Sequence, residues 1–507
     1  MEANSENQIQ EDVLEIHSFI PPRKLTEEEQ KKIKQILDSH PRDRDYISYK
    51  EHTKILAPDK DKIDELLAYA KSQNWKIDID KRSRQATIKI HSKDVLDSDD
   101  TNPSHLESLR FVNKQGDLIL NYPIPEEVDA LDSPTQKTGF VKQNQESRGG
   151  KRARIPLQSE EHGYSVLEIA QAYNFPDGDG EGQTIGIIEL GGQYIESDLE
   201  AYFAKYDIKQ PKIQVVGAPS TKSNNDNVEV TADIQVAGIL APKAKFVIYY
   251  GNSILDAMKT ALNDWRNKPD IISISWAGSE FGYSELELNE LNTVFYEASI
   301  RGITVVAASG DYGAYNNKQF ANVSVPTNFP YVLGCGGTQL NLVNDLIASE
   351  VVWNESQPGV QIGTGGGFSQ KVTEPEYQQT ATLKYINQHP EFAPYHKAGG
   401  RSVPDVAANA ADTTGYTIFF HGQWTKVGGT SLATPLWAAL VARLNQNLGY
   451  RLGFFNPLLY KLMNKTAFHQ IVEGNNNLYV GAPSWNPCTG LGSPNGKALL
   501  EAIQELS

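Results

Sequence analysis

The chain of 507 residues holds only two cysteines, Cys335 and Cys488. No disulfide framework can organise it; one bridge is open to it, and the sequence does not decide whether that bridge forms. No apolar run approaches the roughly 18 residues that a membrane span needs. Positive charge is also in deficit, with 47 Lys+Arg against 63 Asp+Glu and a formal net charge of −16. That balance argues against nucleic acid or an anionic membrane surface as a partner. The opening Met1-Glu-Ala-Asn-Ser-Glu-Asn7 lacks the basic start and apolar core of a secretory signal. From the residues alone we expect a cytoplasmic protein, or one exported by a route the chain does not announce. Gly191-Gly192 is not followed by a G-x-G-x-x-G fingerprint, which sets a dinucleotide fold aside.

The length implies more than one domain, and the charge is unevenly spread. Residues 1–158 carry a net −3 and the remainder −13. Residues 12–132 read as a small α+β unit. Thr26 and Glu29 form a capping-box start for a helix to Leu37, and Lys60 to Ala70 gives a second helix. Trp75–Ile79 and Ala86–Ile90 alternate as paired strands, and Leu109–Leu120 reads as a hairpin around Gln115-Gly116. Residues 133–161, including Ser147-Arg-Gly-Gly-Lys-Arg-Ala-Arg154, are polar and aperiodic, as in an exposed, cleavable linker. From Tyr164 onward strands and helices alternate. Strands are expected at 184–190, 212–216, 245–250, 271–276, 304–308 and 331–334, and helices at 197–206, 228–240, 254–265 and 285–301. Such alternation predicts a mostly parallel sheet with helices on both faces.

Gly428-Gly-Thr-Ser431-Leu-Ala-Thr-Pro435 stands at the head of a long apolar run, Leu432 to Leu440 and on through Leu444. The run predicts a buried helix with Ser431 in its first turn. Backbone N–H groups there have no intrahelical partner and can hold an oxyanion. A plain N-cap serine would look the same. Glu229 and Asp233 lie four apart among Val228, Ile234, Val236 and Ile239. A helix puts both carboxylates on one buried face, where like charges relieve repulsion by sharing a proton. Asp311, in Ser309-Gly-Asp-Tyr-Gly313, ends an apolar strand, and strand ends are where open α/β sheets build sites.

Together these stretches resemble the sedolisins, the serine-carboxyl peptidases, and among them the kumamolisin-like members. The resemblance also runs through Ile187-Ile-Glu-Leu-Gly-Gly192, Ser273-Ile-Ser-Trp276, Arg401-Ser-Val-Pro-Asp405 and Pro487-Cys-Thr-Gly-Leu-Gly-Ser-Pro494. It implies a subtilisin-like α/β catalytic domain, 162–507, with a mostly parallel sheet flanked by helices. A small α+β pro-domain (1–132) and a cleavable linker (133–161) would precede it. It further implies Ser431 as nucleophile, Glu229 as general base, Asp233 orienting that base, and Asp311 as oxyanion donor. Glu189 and Trp276 would extend this network. Carboxylates can replace the imidazole of a Ser-His-Asp triad, and a carboxyl donates only when protonated, so Asp311 must be neutral during catalysis. The implied activity is an acid-acting endopeptidase, autoprocessed between Arg148 and His162, that cuts proteins or peptides and is inhibited by its own pro-domain. Extracellular location follows from the resemblance, and a monomer is expected. Tripeptidyl exopeptidase action and a non-catalytic peptide-binding scaffold are the alternatives. A histidine-based subtilisin mechanism is disfavoured because His162, His389, His396, His421 and His469 all lie outside an H-G-T context. Ser324 in Val323-Ser-Val-Pro326 stands where some members have an aspartate, so a preference for basic residues does not transfer.

The resemblance also implies a calcium site near the C-terminus. Its acids fall on Phe468-His-Gln470-Ile471 and Ser484-Trp-Asn486-Pro487, where both have become amides. Calcium affinity depends on the number of carboxylates. The expectation is therefore no cofactor and no metal, with Gln470 and Asn486 holding the loop by hydrogen bonds and Glu473 as the nearest acid able to compensate.

Overall fold

A computed structural model describes residues 13–20, 22–72, 74–82, 84–91, 109–112, 151–152, 163–219 and 223–506. Two compact units emerge: residues 1–30 with 49–146, and residues 31–48 with 147–507. The division differs from the expected one because residues 31–48, early in the chain, belong to the larger unit.

In the smaller unit an antiparallel sheet has the order Lys76–Asp80, Gln85–His91, Val13–Phe19, Leu109–Val112. Helix Lys60–Ser72 accompanies it, and Ile20, Ile63 and Ala86 form a small core. Helix Glu27–Asp38, which the division between the units crosses after Gln30, has the expected box: Glu29 N–H donates to Thr26 Oγ1 at 3.2 Å and Thr26 N–H to Glu29 Oε2 at 2.9 Å. The remainder of the hairpin expected to Leu120, and the cleavage window apart from Lys151–Arg152, lie outside the described residues.

The larger unit is built on an eight-stranded sheet. Its strands are β1 (Thr184–Glu189), β2 (Lys212–Val216), β3 (Lys245–Tyr250), β4 (Ile271–Ile274), β6 (Thr304–Ala308), β8 (Leu333–Val343), β9 (Leu346–Val352) and β10 (Val406–Asn409). Two short strands, β5 (Trp276–Ser279) and β7 (Ser324–Val325), pair outside it. The order is β9-β8-β6-β4-β1-β3-β2, with β10 on β8, and only β9 runs antiparallel. The chain leaves β1 for β2 and β3 on one side and returns to β4 on the other. The boundary between β1 and β4 is thus a topological switch point, where open sheets place their sites.

Helices α1 (Glu196–Lys205), α2 (Asn224–Leu240), α3 (Ile254–Asn263), α4 (Glu285–Ile300) and α5 (Thr430–Leu448) match the expected segments to within a few residues. On one face of the sheet α2 and α5 contribute Val230, Ile234, Leu432, Leu436, Trp437 and Leu440 to the principal core; α3 and α4 share a second core on the other face. Each of those six side chains is fully buried, and burial of a large apolar side chain stabilises by about 1.5–3 kcal/mol. Helix α5 is therefore a fixed mount for Ser431. Cys335 and Cys488 are both buried and both free, so the single disulfide left open by the sequence is not made.

Residues 31–48 are fastened to the larger unit by specific bonds. Ile47 N–H donates to Ile300 O at 3.0 Å, Tyr46 Oη to Leu452 O at 3.0 Å, and Arg44 to Phe454 O. The Tyr46 ring lies over Gly302 and Gly453, where a side chain on either glycine would collide with it.

Candidate active site

Helix α5 opens at Thr430, directly after two glycines, so Ser431 is its second residue. Gly429 caps the helix at φ 120°, a conformation that β-carbons disfavour, and a Cβ on Gly428 would strike Asp412 Oδ1. Neither a side-chain cap nor an acidic residue fills the first turn. Ser431 is fully buried, and its hydroxyl lies 3.4 Å from the carbonyl oxygen of Ser275.

Asp311 reaches the same helix start from the end of β6. Its Oδ1 accepts the Thr430 N–H at 2.9 Å and the Thr430 hydroxyl at 2.7 Å. Gly310 N–H donates to Thr430 Oγ1 at 3.2 Å, which fixes that hydroxyl as a donor toward Asp311. With Oδ1 occupied as an acceptor, a proton on Asp311 sits on Oδ2. Gly310 itself has φ 98° and packs against Ser324 Oγ, so a side chain there is excluded.

The carboxylates expected on one helix face are there. Glu229 and Asp233 lie on α2, both fully buried. Asp233 is bound by Ser275, whose Oγ lies 2.9 and 2.8 Å from its two oxygens and 3.2 Å from the Ser431 carbonyl oxygen. That carbonyl lacks its helical donor because Pro435, four residues on, has no N–H. Glu189, the last residue of β1, accepts the Trp276 indole N–H at 2.9 Å. Burial pushes Glu189 well above the usual carboxyl range. The charges of Asp233 and Glu229 push it further, against the indole bond. Burial likewise raises Asp233, opposed by the Ser275 hydrogen bond. Three buried carboxyls that feel one another cannot all ionise.

The structure thus joins Ser431, Ser275 and Asp233 in one chain of contacts, couples Glu189 and Trp276 to the carboxyl cluster, and seats Asp311 on Thr430. Sequence reading did not assign Ser275, or any role for Pro435. Pro435 had a visible signal, a proline inside a helical apolar run; Ser275 had none, since its partner lies 42 residues away. Among the described histidines, none is bonded to Ser431: His389 and His396 face Glu391 and Glu374, and His469 lies beside Tyr173.

A second feature borders the site. Strand β5, which begins at Trp276, pairs antiparallel with two short strands, β7 on one edge and Lys151–Arg152 on the other. The register sets Arg152 opposite Trp276 and Lys151 opposite Ala277.

The residues at the expected calcium position do not fit a cation. Asn486 is buried and directs its amide N–H groups at the carbonyl oxygens of Ile471 and Ala482. Gln470 and Glu473 are solvent-exposed. The expectation that both amides hold the loop is corrected for Gln470, because its side chain lies out in water.

A parallel sheet with its switch point between β1 and β4, and a serine at the head of a buried central helix, define the subtilisin-like class. Comparison with known proteins agrees. The Subtilase family profile matches residues 215–481. Kumamolisin of Bacillus sp. (strain MN-32) is 44% identical over 359 residues, which are 67% of this chain and 63% of kumamolisin. Tripeptidyl-peptidase 1 of Bos taurus is 32% identical over 257 residues, 46% of this chain and 43% of that protein. The solved structure of Pseudomonas sedolisin, a serine-carboxyl proteinase complexed with pseudo-iodotyrostatin, superposes with a TM-score of 0.61 at 26% identity. That match covers 68% of this chain and 99% of sedolisin. The chain belongs to the sedolisin family. It matches less than two thirds of the length of these curated relatives.

Proposed function

We propose that the chain is an acid-acting serine-carboxyl endopeptidase, made as a zymogen that processes itself. The observation that carries the endopeptidase reading is the pairing of Lys151–Arg152 with β5. An internal segment, far from any chain end, lies along the strand that leaves the site. This pairing supports a cleft that accepts an internal segment over one that requires a free N-terminus.

In this reading Ser431 Oγ attacks the peptide carbonyl carbon and its proton passes to ionised Glu229. Protonated Asp311 donates from Oδ2 to the oxyanion, held in position by Thr430. Collapse breaks the C–N bond, Glu229 returns its proton to the leaving amine, and water repeats the sequence on the acyl-enzyme. Asp233 and Glu189 have raised proton affinity, and this reading assigns the role of base to Glu229. Activity then requires Glu229 ionised and Asp311 neutral. Given ordinary carboxyl values of about 4, the bell-shaped profile falls at roughly pH 3 to 5.

The substrates are proteins or peptides, the N-terminal region is the intramolecular inhibitor, and the enzyme works as an exported monomer. No helix among the described residues is long and apolar enough to cross a membrane. An internally quenched peptide with an acetylated N-terminus, offered at pH 4, tests the reading. The proposal expects cleavage. Hydrolysis only of free-N-terminus peptides, with release of tripeptides, assigns exopeptidase action; binding with no hydrolysis of either assigns a scaffold.

A further inference from the structure

The turn around Asn486 carries an inference independent of the proposed activity. Asn486 Oδ1 accepts the backbone N–H groups of Cys488 at 3.0 Å and Thr489 at 2.9 Å, with the Thr489 hydroxyl at 3.1 Å. Backbone N–H groups can only donate, so this end of the amide must be the oxygen and the other end the NH₂ group. The NH₂ donates to Ile471 O and to Ala482 O, each at 3.1 Å. Two carbonyl oxygens from separate segments thus converge on one side chain, the arrangement by which a hard cation gathers a loop. The convergence is closed by a backbone ring in which Asn486 and Gly490 exchange N–H···O bonds at 3.1 and 2.9 Å.

We propose that the Asn486 amide is the resident substitute for calcium in this fold: its two N–H dipoles hold the Ile471 and Ala482 carbonyls in place of a cation. The surroundings agree. Lys384 Nζ donates to Ser484 Oγ at 2.6 Å, which brings a fixed ammonium two residues from Asn486. The nearby acid, Glu473, points into water. Among the described residues no group of three or more His, Cys, Asp or Glu side chains is arranged to hold a metal. An amide donor and a cation compete for the same carbonyl lone pairs, so a chain that has one does not use the other.

The experiment compares melting of the full chain in millimolar calcium and in chelator, together with the metal content of the dialysed protein. The wild type is expected to melt at the same temperature in both and to carry no stoichiometric calcium. Asn486→Asp turns two donors into acceptors facing two carbonyls. It is expected to melt several degrees lower in chelator and to be lifted by calcium. Asn486→Ala is expected to melt lower in both solutions with no calcium response. Stoichiometric calcium in the wild type, or a chelator-dependent fall in its melting temperature, overturns the proposal without any variant. So do an Asn486→Asp protein as stable in chelator as the wild type, or one that calcium does not lift.

Discussion

Replacing Ser275 with alanine tests the core of the site most directly. The hydroxyl has one hydrogen but lies within bonding distance of three oxygens, two on Asp233 and one on the Ser431 carbonyl. Pro435 offers that carbonyl no N–H, so the Ser275 hydroxyl is the donor within reach of both Asp233 and the Ser431 carbonyl. Ser275→Ala strands both ends in a buried interior. A buried polar group left without its partner costs about 1–3 kcal/mol, so the loss of stability for the two is on the order of 2–6 kcal/mol. Displacement of a catalytic group by about 1 Å costs roughly 10²-fold in rate. That loss should fall on kcat with KM unchanged, since none of these atoms binds substrate. Pro435→Ala restores an N–H opposite Ser431 O, so the double variant should recover part of the lost stability. The coupling expected for residues sharing a partner is about 0.5–3 kcal/mol. Thermal unfolding and steady-state kinetics at pH 4 on the four proteins complete the cycle. A Ser275→Ala enzyme with wild-type kcat, or strictly additive effects in the cycle, would refute the relay.

Further outcomes are expected. Asp311→Ala should lower kcat by about 10²–10³-fold, as loss of an oxyanion donor does. Asp311→Asn, a donor at every pH, should extend activity on the alkaline side, and an unmoved alkaline limb counts against Asp311. Thr430→Val should lower kcat while Thr430→Ser keeps it, because the hydroxyl rather than the methyl positions Asp311; equal losses in the two would remove Thr430 from the mechanism. Purified Ser431→Ala protein should remain full length at pH 4, and rapid maturation would show that processing is not its own. Glu189 and Asp233 bind protons more tightly folded than unfolded. The stability they bring is complete below the unfolded value of about 4 and is lost as pH rises through their raised folded values. The melting temperature should therefore be higher at pH 5 than at pH 8, and Glu189→Gln should flatten that slope; a melting temperature independent of pH would contradict the buried cluster.

Much of the fold was legible because its signals are local. The apolar run after Ser431 became α5, and strand–helix alternation became the parallel sheet, with boundaries shifted by a few residues. The strand expected at 331–334 instead runs from Leu333 to Val343 and turns back as β9. That segment mixes polar and apolar residues because one end is buried and the other emerges into solvent. The carboxylates Glu229 and Asp233 were legible from spacing and apolar company. What joins Asp233 to Ser431 was not, because Ser275 acts across 156 residues from the Ser431 carbonyl. The destination of residues 31–48 was equally hidden, since nothing local distinguishes Tyr46 from any other half-exposed tyrosine.

The placement of Tyr46 has a consequence for the timing of maturation. Severing the chain near residue 150 changes connectivity but breaks none of the bonds from Arg44, Tyr46 and Ile47 to Phe454, Leu452 and Ile300. The freshly cut protein should migrate as a two-fragment complex of precursor size. The pace of its disassembly is then governed by how often this tyrosine lifts off its paired glycines, so release becomes a step with its own clock. A bulkier residue at Gly302 or Gly453 would shorten that lifetime without touching the catalytic groups.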